Sequence, residues 1–250
     1  AVVDCSDRGD ERPLAQRVSS ADIVLVAVSM DQASRVVAEV LPLLRDDALI
    51  CDINSLKADV CTLYAQAPGE ALGLHPMFGP STRSLRRQKV VVCRVHDGPR
   101  SEWMLDLLRQ AGADLVPSDP AEHDDAMALV QVVTHFRTIA TGMALARSGR
   151  PLDDSLRFTS PIYRLELSVI GRLFAQDPEL YASILFDNPR GELVRRLLSD
   201  ATTELDHIVA GRDRDAFIAA FEQTAAWFAD FADDALGLSD RLIEHLTAEP

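Results

Sequence analysis

Three apolar runs of the sequence end in polar residues that could do chemistry. Asp4 ends the first run, Ser55 lies in the loop after a later one, and His75 ends a third beside a loop bounded by proline and glycine. A neutral imidazole is a suitable base at neutral pH, and a carboxylate can accept hydrogen bonds from a ribose hydroxyl. Each residue also has a structural interpretation, because a loop acid or a histidine beside a turn needs no ligand.

Charged and titratable residues also lie on two helical stretches. Arg164 and Arg172 share one side of an apolar helix that begins at Pro161, so their guanidinium groups need acidic partners or a dianionic ligand. His135 lies on another apolar helix. His123, near the start of that helix, is interpreted as a solvated or capping residue because two aspartates follow it. The sequence leaves open whether the arginines form structural ion pairs or hold an anion.

The elements that must position these residues change character halfway along the chain. Up to residue 119, apolar runs of strand length alternate with helical stretches, which is typical of a parallel α/β sheet. After that, only helical spacing recurs. We predict a Rossmann-like α/β domain over residues 1–119 and an all-α domain over residues 120–250. The predicted strands are residues 1–4, 23–28, 49–53, 71–78, 89–95 and 114–116. The predicted helices are residues 32–45, 55–67, 101–110, 121–148, 161–175, 178–186, 192–210 and 215–246.

The composition excludes several classes of partner. The chain carries 25 Lys and Arg against 39 Asp and Glu, a net charge of −14, and has no dense basic run. We therefore expect neither nucleic acid nor an acidic membrane as a partner. No apolar stretch approaches the roughly 20 residues that span a bilayer. The four cysteines lack CxxC spacing, which predicts reduced thiols, no metal site and a cytoplasmic location.

Several long motifs together resemble one known family. They are residues 72–80, 122–124, 127–128, 131, 135–136, 160–167 and 171–178. These motifs closely resemble the prephenate dehydrogenase family, above all its bacterial members fused to chorismate mutase, and the resemblance covers essentially the whole chain. It implies a Rossmann-type domain and a helical domain that forms a homodimer. It also implies oxidative decarboxylation of prephenate, a small dicarboxylate, with hydride transfer to NAD.

The resemblance implies roles for individual residues. His75 would take the proton from the hydroxyl group on C4, the ring carbon that loses hydride. Ser55 would contact both that substituent and the nicotinamide, and Arg172 would bind a substrate carboxylate. The remaining implied substrate-binding residues are His135, Tyr181 and Arg164.

The cofactor expectation depends on the start of the chain. Asp4 would accept ribose hydrogen bonds and so favours NAD over NADP, although Arg8 nearby leaves NADP open. The family's glycine-rich phosphate loop precedes this point, and no GxGxxG motif occurs in the sequence. We therefore expect that the chain begins after that loop, lacks the first βα unit of the domain, and by itself binds NAD weakly.

Two departures from the family leave the substrate open. Ser81 and Thr134 stand where an acid and an arginine are usual in close relatives, which indicates an exchanged ion pair or a changed substrate. The alternatives to prephenate are 4-amino-4-deoxyprephenate, which carries an amine at C4, and arogenate. Two non-enzyme alternatives are an anion-binding module without its nucleotide loop and a dimerisation scaffold. In the scaffold interpretation, five aromatic residues form core and dimer interface: Phe217, Phe221, Trp227, Phe228 and Phe231.

Overall fold

Five strands form one sheet in the first half of the chain, and they lie side by side in sequence order. The computed structural model describes residues 3–5, 13–79 and 81–248. The strands are β1 (Ile23–Val26), β2 (Leu49–Asp52), β3 (Glu70–Pro76), β4 (Lys89–His96) and β5 (Asp114–Pro117).

Helices connect the strands and then make up the rest of the chain. The first group is α1 (Leu14–Val18), α2 (Met30–Val40), a 3₁₀ turn (Leu41–Leu43), α3 (Ala58–Tyr64), α4 (Pro99–Gln110) and α5 (Pro120–Met127). A π-helical turn, Ala128–Val133, continues α5. The second group is α6 (Thr134–Arg147), α7 (Leu152–Leu156), α8 (Pro161–Phe174), α9 (Pro178–Phe186), α10 (Gly191–Ala210), α11 (Arg214–Phe228) and α12 (Asp230–Ala248).

The chain divides into two units. The sheet unit comprises Ala1–Gln131 and Ala182–Gly191, and the helical unit comprises Val132–Tyr181 and Glu192–Pro250. The predicted order, an α/β part followed by an all-α part, is confirmed. The boundary at residue 119 lies before the change of unit and stays a prediction.

Most of the sheet is parallel, as the alternation of strands and helices predicts. The pairs β1–β2, β2–β3 and β4–β5 are parallel, and a helix connects the two strands of each. β3 and β4 are antiparallel, which corrects the prediction for this pair. The described part of residues 77–88 holds no helix that could carry the chain back across the sheet, so β4 returns alongside β3.

Apolar side chains cover both faces of the sheet. Along β2, Ile50 packs with residues of α2 and α3, whereas Leu49 and Cys51 pack on the opposite face with Leu105 of α4. Successive side chains of a strand point to opposite faces, so a strand covered on both sides must be apolar throughout. This burial explains why β2 is an uninterrupted apolar run up to Asp52.

The first predicted strand is not confirmed. Val3 and Asp4 are not in a strand, and the other residues of that predicted strand, Ala1 and Val2, lie outside the described residues.

The cysteines are free thiols. Cys5 is exposed, and the three in β2, α3 and β4 are buried, as the apolar segments around them predict.

In the helical unit, α6 packs on α8. A Cβ atom on Gly142 would lie 2.3 Å from Cε2 of Phe174, so a side chain at this position would have to displace the Phe174 ring. α12 also packs on α8. None of the helices in the described part of the chain combines the length and the apolar character needed to cross a membrane.

The last predicted helix is in fact two helices. Ala229 has a φ of 45°, which an α-helix does not allow, and it separates α11 from α12. The five aromatic residues interpreted as core are 41–79% exposed, so that interpretation is wrong within one protomer. Their part in a dimer interface stays a prediction.

We predict that Gly73→Ala destabilises the sheet unit. The added Cβ would lie 2.7 Å from Cys61 Sγ and 3.0 Å from Lys57 Cδ, and overpacking of this kind costs about 1–3 kcal/mol. Gly171→Ala in α8 is the matched control, because its Cβ meets nothing within 4 Å and alanine favours a helix by about 0.5–1 kcal/mol. Urea unfolding measures both changes. Equal stability of Gly73→Ala and wild type would contradict the packing described around β3.

Candidate active site

His75 lies at the carboxyl end of β3, in the middle of the sheet. Strands pair with β3 on both sides, and the His75 side chain is only 3% exposed. Ligands of open α/β sheets bind at the edge formed by the carboxyl ends of the parallel strands. The candidate base therefore lies at the edge where the sequence analysis expects a site.

A chain of hydrogen bonds runs from His75 into the protein. His75 Nδ1 lies 2.8 Å from His123 Nε2, and His123 Nδ1 lies 2.7 Å from Asp124 Oδ1. The two imidazole rings meet edge to face with centroids 5.1 Å apart. All three side chains are buried. We call these residues the His–His–Asp relay.

The Asp124 carboxylate accepts three hydrogen bonds. The backbone N–H groups of Lys57 and Ala58, at the start of α3, donate to it at 2.8 and 2.9 Å, in addition to His123. Burial by itself would raise the pKa of Asp124, but the hydrogen bonds from His123, Ala58 and Lys57 outweigh burial and lower this pKa. Asp124 is therefore ionised at neutral pH, and it caps α3 from a different helix.

The ionised Asp124 sets the direction of each proton in the relay. His123 donates its Nδ1 proton to the carboxylate, so Nε2 of an uncharged ring is an acceptor. His75 then donates from Nδ1, and its Nε2 keeps a lone pair. Burial is the main cause that lowers the pKa of His75 well below its ordinary value, and the positive charge of Lys57 adds to this effect. His75 is thus a neutral ring that can take a proton at Nε2.

Gln131 lies beside this lone pair. Its side-chain nitrogen is 3.3 Å from His75 Nε2, and the residue belongs to the π-helical turn after α5. The amide N–H therefore occupies the position from which another donor could approach the base.

A buried ion pair lies at the end of the neighbouring strand β2. Asp52 and Lys57 are fully buried, and Lys57 Nζ donates to Asp52 Oδ2. Burial raises the pKa of Asp52, while the Lys57 charge opposes this rise. The Lys57 charge also lowers the pKa of His75, so it acts on the base. Pairing with Asp52 keeps this charge close to the base while Lys57 stays buried.

The residues after β1 and β2 fit part of a nicotinamide nucleotide. Val28 and Ile53 are apolar, yet they are 37% and 40% exposed, which suits contact with the flat face of a nucleotide ring. Asn54 is buried, and its Nδ2 has no hydrogen-bond partner among the described residues, so it can donate to a ligand. Ser55 follows it in the same loop and is half-buried.

The other cofactor candidate lies on the surface. Asp4 is exposed, and its carboxylate pairs with Arg17 at 2.9 Å. Arg8 lies outside the described residues. The role of Asp4 as a ribose acceptor stays a prediction.

In the helical unit, the structure brings two predicted residues together. The rings of His135 and Tyr181 meet edge to face with centroids 5.0 Å apart. Burial lowers the pKa of His135 and raises that of Tyr181, and the charge of Arg172 opposes the rise at Tyr181. His135 and Tyr181 are therefore in contact in this unit, and the charge of Arg172 acts on Tyr181.

The two arginines of α8 lie outside the core, so the reason for which the sequence predicts acidic partners or a dianionic ligand for them does not hold. Arg164 and Arg172 are exposed, because Ile170 and Leu173 form the buried side of the helix. No ion pair to either arginine occurs within the described part of the chain. Both guanidinium groups face solvent and can meet an anion.

Sequence reasoning missed most of the relay. The interpretation of His123 as solvated or capping is wrong, since it is 2% exposed and bonded to His75. Asp124 and Lys57 were not singled out as functional residues. The spacing of His123 and Gln131 does indicate a shared partner, because the two residues lie only about 80° apart around an ideal α-helix and can face one ring.

Comparison with known proteins identifies the family of the chain. Residues 4–116 match the family model of the prephenate dehydrogenase nucleotide-binding domain, and residues 119–223 match that of the prephenate dehydrogenase dimerization domain. The T-protein of Haemophilus influenzae is 35% identical over 239 residues, covering 95% of this chain and 63% of that protein. The 4-amino-4-deoxyprephenate dehydrogenase of Streptomyces pristinaespiralis is 29% identical over 208 residues, covering 82% and 70%.

A solved structure shows the same fold. Prephenate dehydrogenase from Aquifex aeolicus, in complex with hydroxyphenyl propionate and NAD+, has a TM-score of 0.68 and 16% identity, with 87% of this chain and 79% of that chain covered. By the match of residues 4–116 to the nucleotide-binding model, the sheet unit is a Rossmann-like nucleotide-binding α/β domain, and the helical unit shares the fold of the dimerization domain. The chain belongs to the prephenate dehydrogenase family. It spans less than two thirds of the length of the T-protein it matches.

We predict that Asp124→Asn destabilises the protein by about 1–3 kcal/mol, because an amide has one acceptor oxygen for three converging donors and its own N–H must face another N–H. Asp125→Asn makes the same change one residue later, where the exposed carboxylate pairs with Arg190, and should cost less than about 1 kcal/mol. Urea unfolding of the two variants and wild type gives the comparison. If both variants lose equal stability, Asp124 is not the common acceptor.

Proposed function

We propose that the chain catalyses the NAD-dependent oxidative decarboxylation of prephenate to 4-hydroxyphenylpyruvate. The observation that carries this proposal is the lone pair on His75 Nε2, held at the carboxyl edge of the sheet by a relay that ends in an ionised carboxylate. Membership of the prephenate dehydrogenase family supports the substrate class.

In the proposed reaction, His75 handles the proton of the C4 hydroxyl group. Nε2 accepts this proton as the carbon loses hydride, and the new positive charge is stabilised through His123 by Asp124. After CO2 leaves, the ring electrons shift to the oxygen, and His75 returns the proton to the resulting phenolate. The base therefore finishes the cycle in its starting tautomer, with no net proton consumed.

The cofactor site in this proposal lies beside the base. Bound NAD would accept the hydride from C4. Asn54 and Ser55 would position the nicotinamide, and Ser55 would also contact the C4 substituent. Asp4 would hold the adenosine ribose, which favours NAD over NADP. The exposed side chains of Val28 and Ile53 support this placement, because they offer apolar contact beside the buried Asn54 amide.

We also propose that the helical unit binds the carboxylate end of the substrate. Arg172 is the candidate carboxylate ligand, and Arg164 is a second cation on the same helix. His135 and Tyr181, which contact each other, are the other candidates, and the charge of Arg172 acts on Tyr181. A guanidinium group matches a carboxylate with two parallel hydrogen bonds. The exposure of both arginines supports this role.

The helical unit would also form a homodimer in the cytoplasm. The match of residues 119–223 to a dimerization domain supports this assembly, and the exposed aromatic residues of α11 and α12 offer apolar surface for it.

The second candidate substrate is 4-amino-4-deoxyprephenate. The observation in its favour is the match to the dehydrogenase of Streptomyces pristinaespiralis that bears this name. Ser81 and Thr134, the two departures from the family, are both exposed.

We predict that His75→Asn, in the full-length protein, lowers kcat with prephenate by about 10²–10⁴-fold, the usual contribution of a positioned base. Asparagine can still donate an N–H to His123, so the KM values for prephenate and NAD should change little. His207→Asn, at an exposed position of α10, is the control. The rate is measured as NADH formation. Wild-type turnover by His75→Asn would rule out His75 as the base.

We predict that Arg172→Gln raises the KM for prephenate by about tenfold or more, because a charge-assisted hydrogen bond to a carboxylate is worth roughly 1.5–3 kcal/mol. The loss of kcat should be smaller. Arg196→Gln is the matched control, since this exposed arginine of α10 pairs with Glu192. Steady-state kinetics with NAD at saturation separate KM from kcat. An unchanged KM in Arg172→Gln would remove Arg172 from the substrate site.

A further inference from the structure

Among the described residues, Gln131 is the side chain that reaches the basic nitrogen of His75. Its Nε2 lies 3.3 Å from His75 Nε2, while the other ring nitrogen is taken up by His123. A group that donates a proton to His75 must therefore approach beside this amide. Gln131 is half-buried, so it lies at the boundary between the buried relay and the space in front of it.

The relay determines which end of the Gln131 amide faces His75. If the amide oxygen pointed at His75 Nε2, that nitrogen would need a proton, and the uncharged ring would lose its Nδ1 proton. His123 would then have to donate from Nε2 and present a lone pair to the Asp124 carboxylate. Two acceptors would face each other across 2.7 Å. The ionised Asp124 thus keeps the N–H group of Gln131 directed at the base.

The π-helical turn places Gln131 on the correct side of the helix. In an ideal α-helix, His123 and Gln131 are about 80° apart. A π turn takes more residues per turn, so Ala128–Val133 rotates Gln131 back toward the side that carries His123. Both side chains can then bond to the same imidazole ring.

We propose that Gln131 is a specificity-determining residue that makes the site prefer a hydroxyl group over an ammonium group on C4. This inference rests on the proposed function. A hydroxyl group can donate to His75 Nε2 and accept the Gln131 N–H at its oxygen. An ammonium group can donate to His75 but has no lone pair, so the Gln131 N–H faces a cation. Turning the amide over would instead place its oxygen against the lone pair of His75.

The test compares prephenate with 4-amino-4-deoxyprephenate on the same preparation of full-length protein. The readout is the ratio of the two kcat/KM values, measured as NADH formation. Loss of folded protein cancels in this ratio, so a purely structural effect of a substitution does not change it. The variants are Gln131→Glu, which presents only acceptors, and Gln131→Met, which removes the donor. The matched control is Gln110→Glu, which adds the same charge at an exposed position of α4.

The wild type should favour prephenate. Gln131→Glu should shift the ratio toward the amine by about tenfold or more, since a hydrogen bond to a charged group is worth at least roughly that factor. Gln131→Met should give an intermediate ratio, and Gln110→Glu should match the wild type. A wild type that prefers the amine, or equal ratios in wild type and both Gln131 variants, would overturn the inference. If the wild type oxidises neither compound, the proposed function fails first and the inference falls with it.

Discussion

The candidate site depends on one carboxylate that accepts three hydrogen bonds. Asp124 accepts hydrogen bonds from two backbone N–H groups at the start of α3 and from the ring of His123. Through the His123 ring it also orients the His75 imidazole of β3. Three separate segments of the sheet unit are joined at this point. The backbone oxygen of Asp124 also accepts a hydrogen bond from the side-chain amide of Asn188, which attaches the segment after α9 to the same point. Without an ionised acceptor here, neither the tautomer of His75 nor the orientation of Gln131 would be defined.

A neutral base in this position needs a particular electrostatic balance. Asp124 favours a proton on His75, whereas burial and the nearby Lys57 disfavour it, and the second effect is larger. The buried Asp52–Lys57 pair is weak evidence for stability, because removing two charges from water offsets much of their attraction. The site offers a better explanation for the presence of this ion pair, because the pair places a fixed positive charge near His75 that solvent does not screen. The resting ring is then neutral, with its proton on Nδ1, while a second proton that arrives from a substrate can still be stabilised through the relay.

The sequence predicted the fold well and the site only in part. Apolar runs such as residues 49–53 identified the strands, because a strand covered on both faces has no other composition. The position of His75 followed from the same reasoning. The direction of β4 did not, since it depends on the absence of a helix from the described residues between β3 and β4 and not on any local pattern. For His123 the sequence pattern is misleading, because the two aspartates that follow it indicate exposure to solvent. Asp124 is in fact buried by contacts with α3, 66 and 67 residues away in sequence, and a local pattern carries no information on such contacts.

The division of the chain separates two tasks of the proposed reaction. The groups that take and direct the proton at C4 all belong to the sheet unit, whereas the arginine proposed to bind a carboxylate belongs to the helical unit. Recognition of a carboxylate that takes no part in the reaction contributes about equally to ground state and transition state, so its loss should appear mainly in KM. Proton transfer and the contact of Gln131 with the C4 substituent act on the reacting atoms themselves. On the proposed assignment, a change of C4 substituent acts first on the sheet unit, where Gln131 lies beside His75.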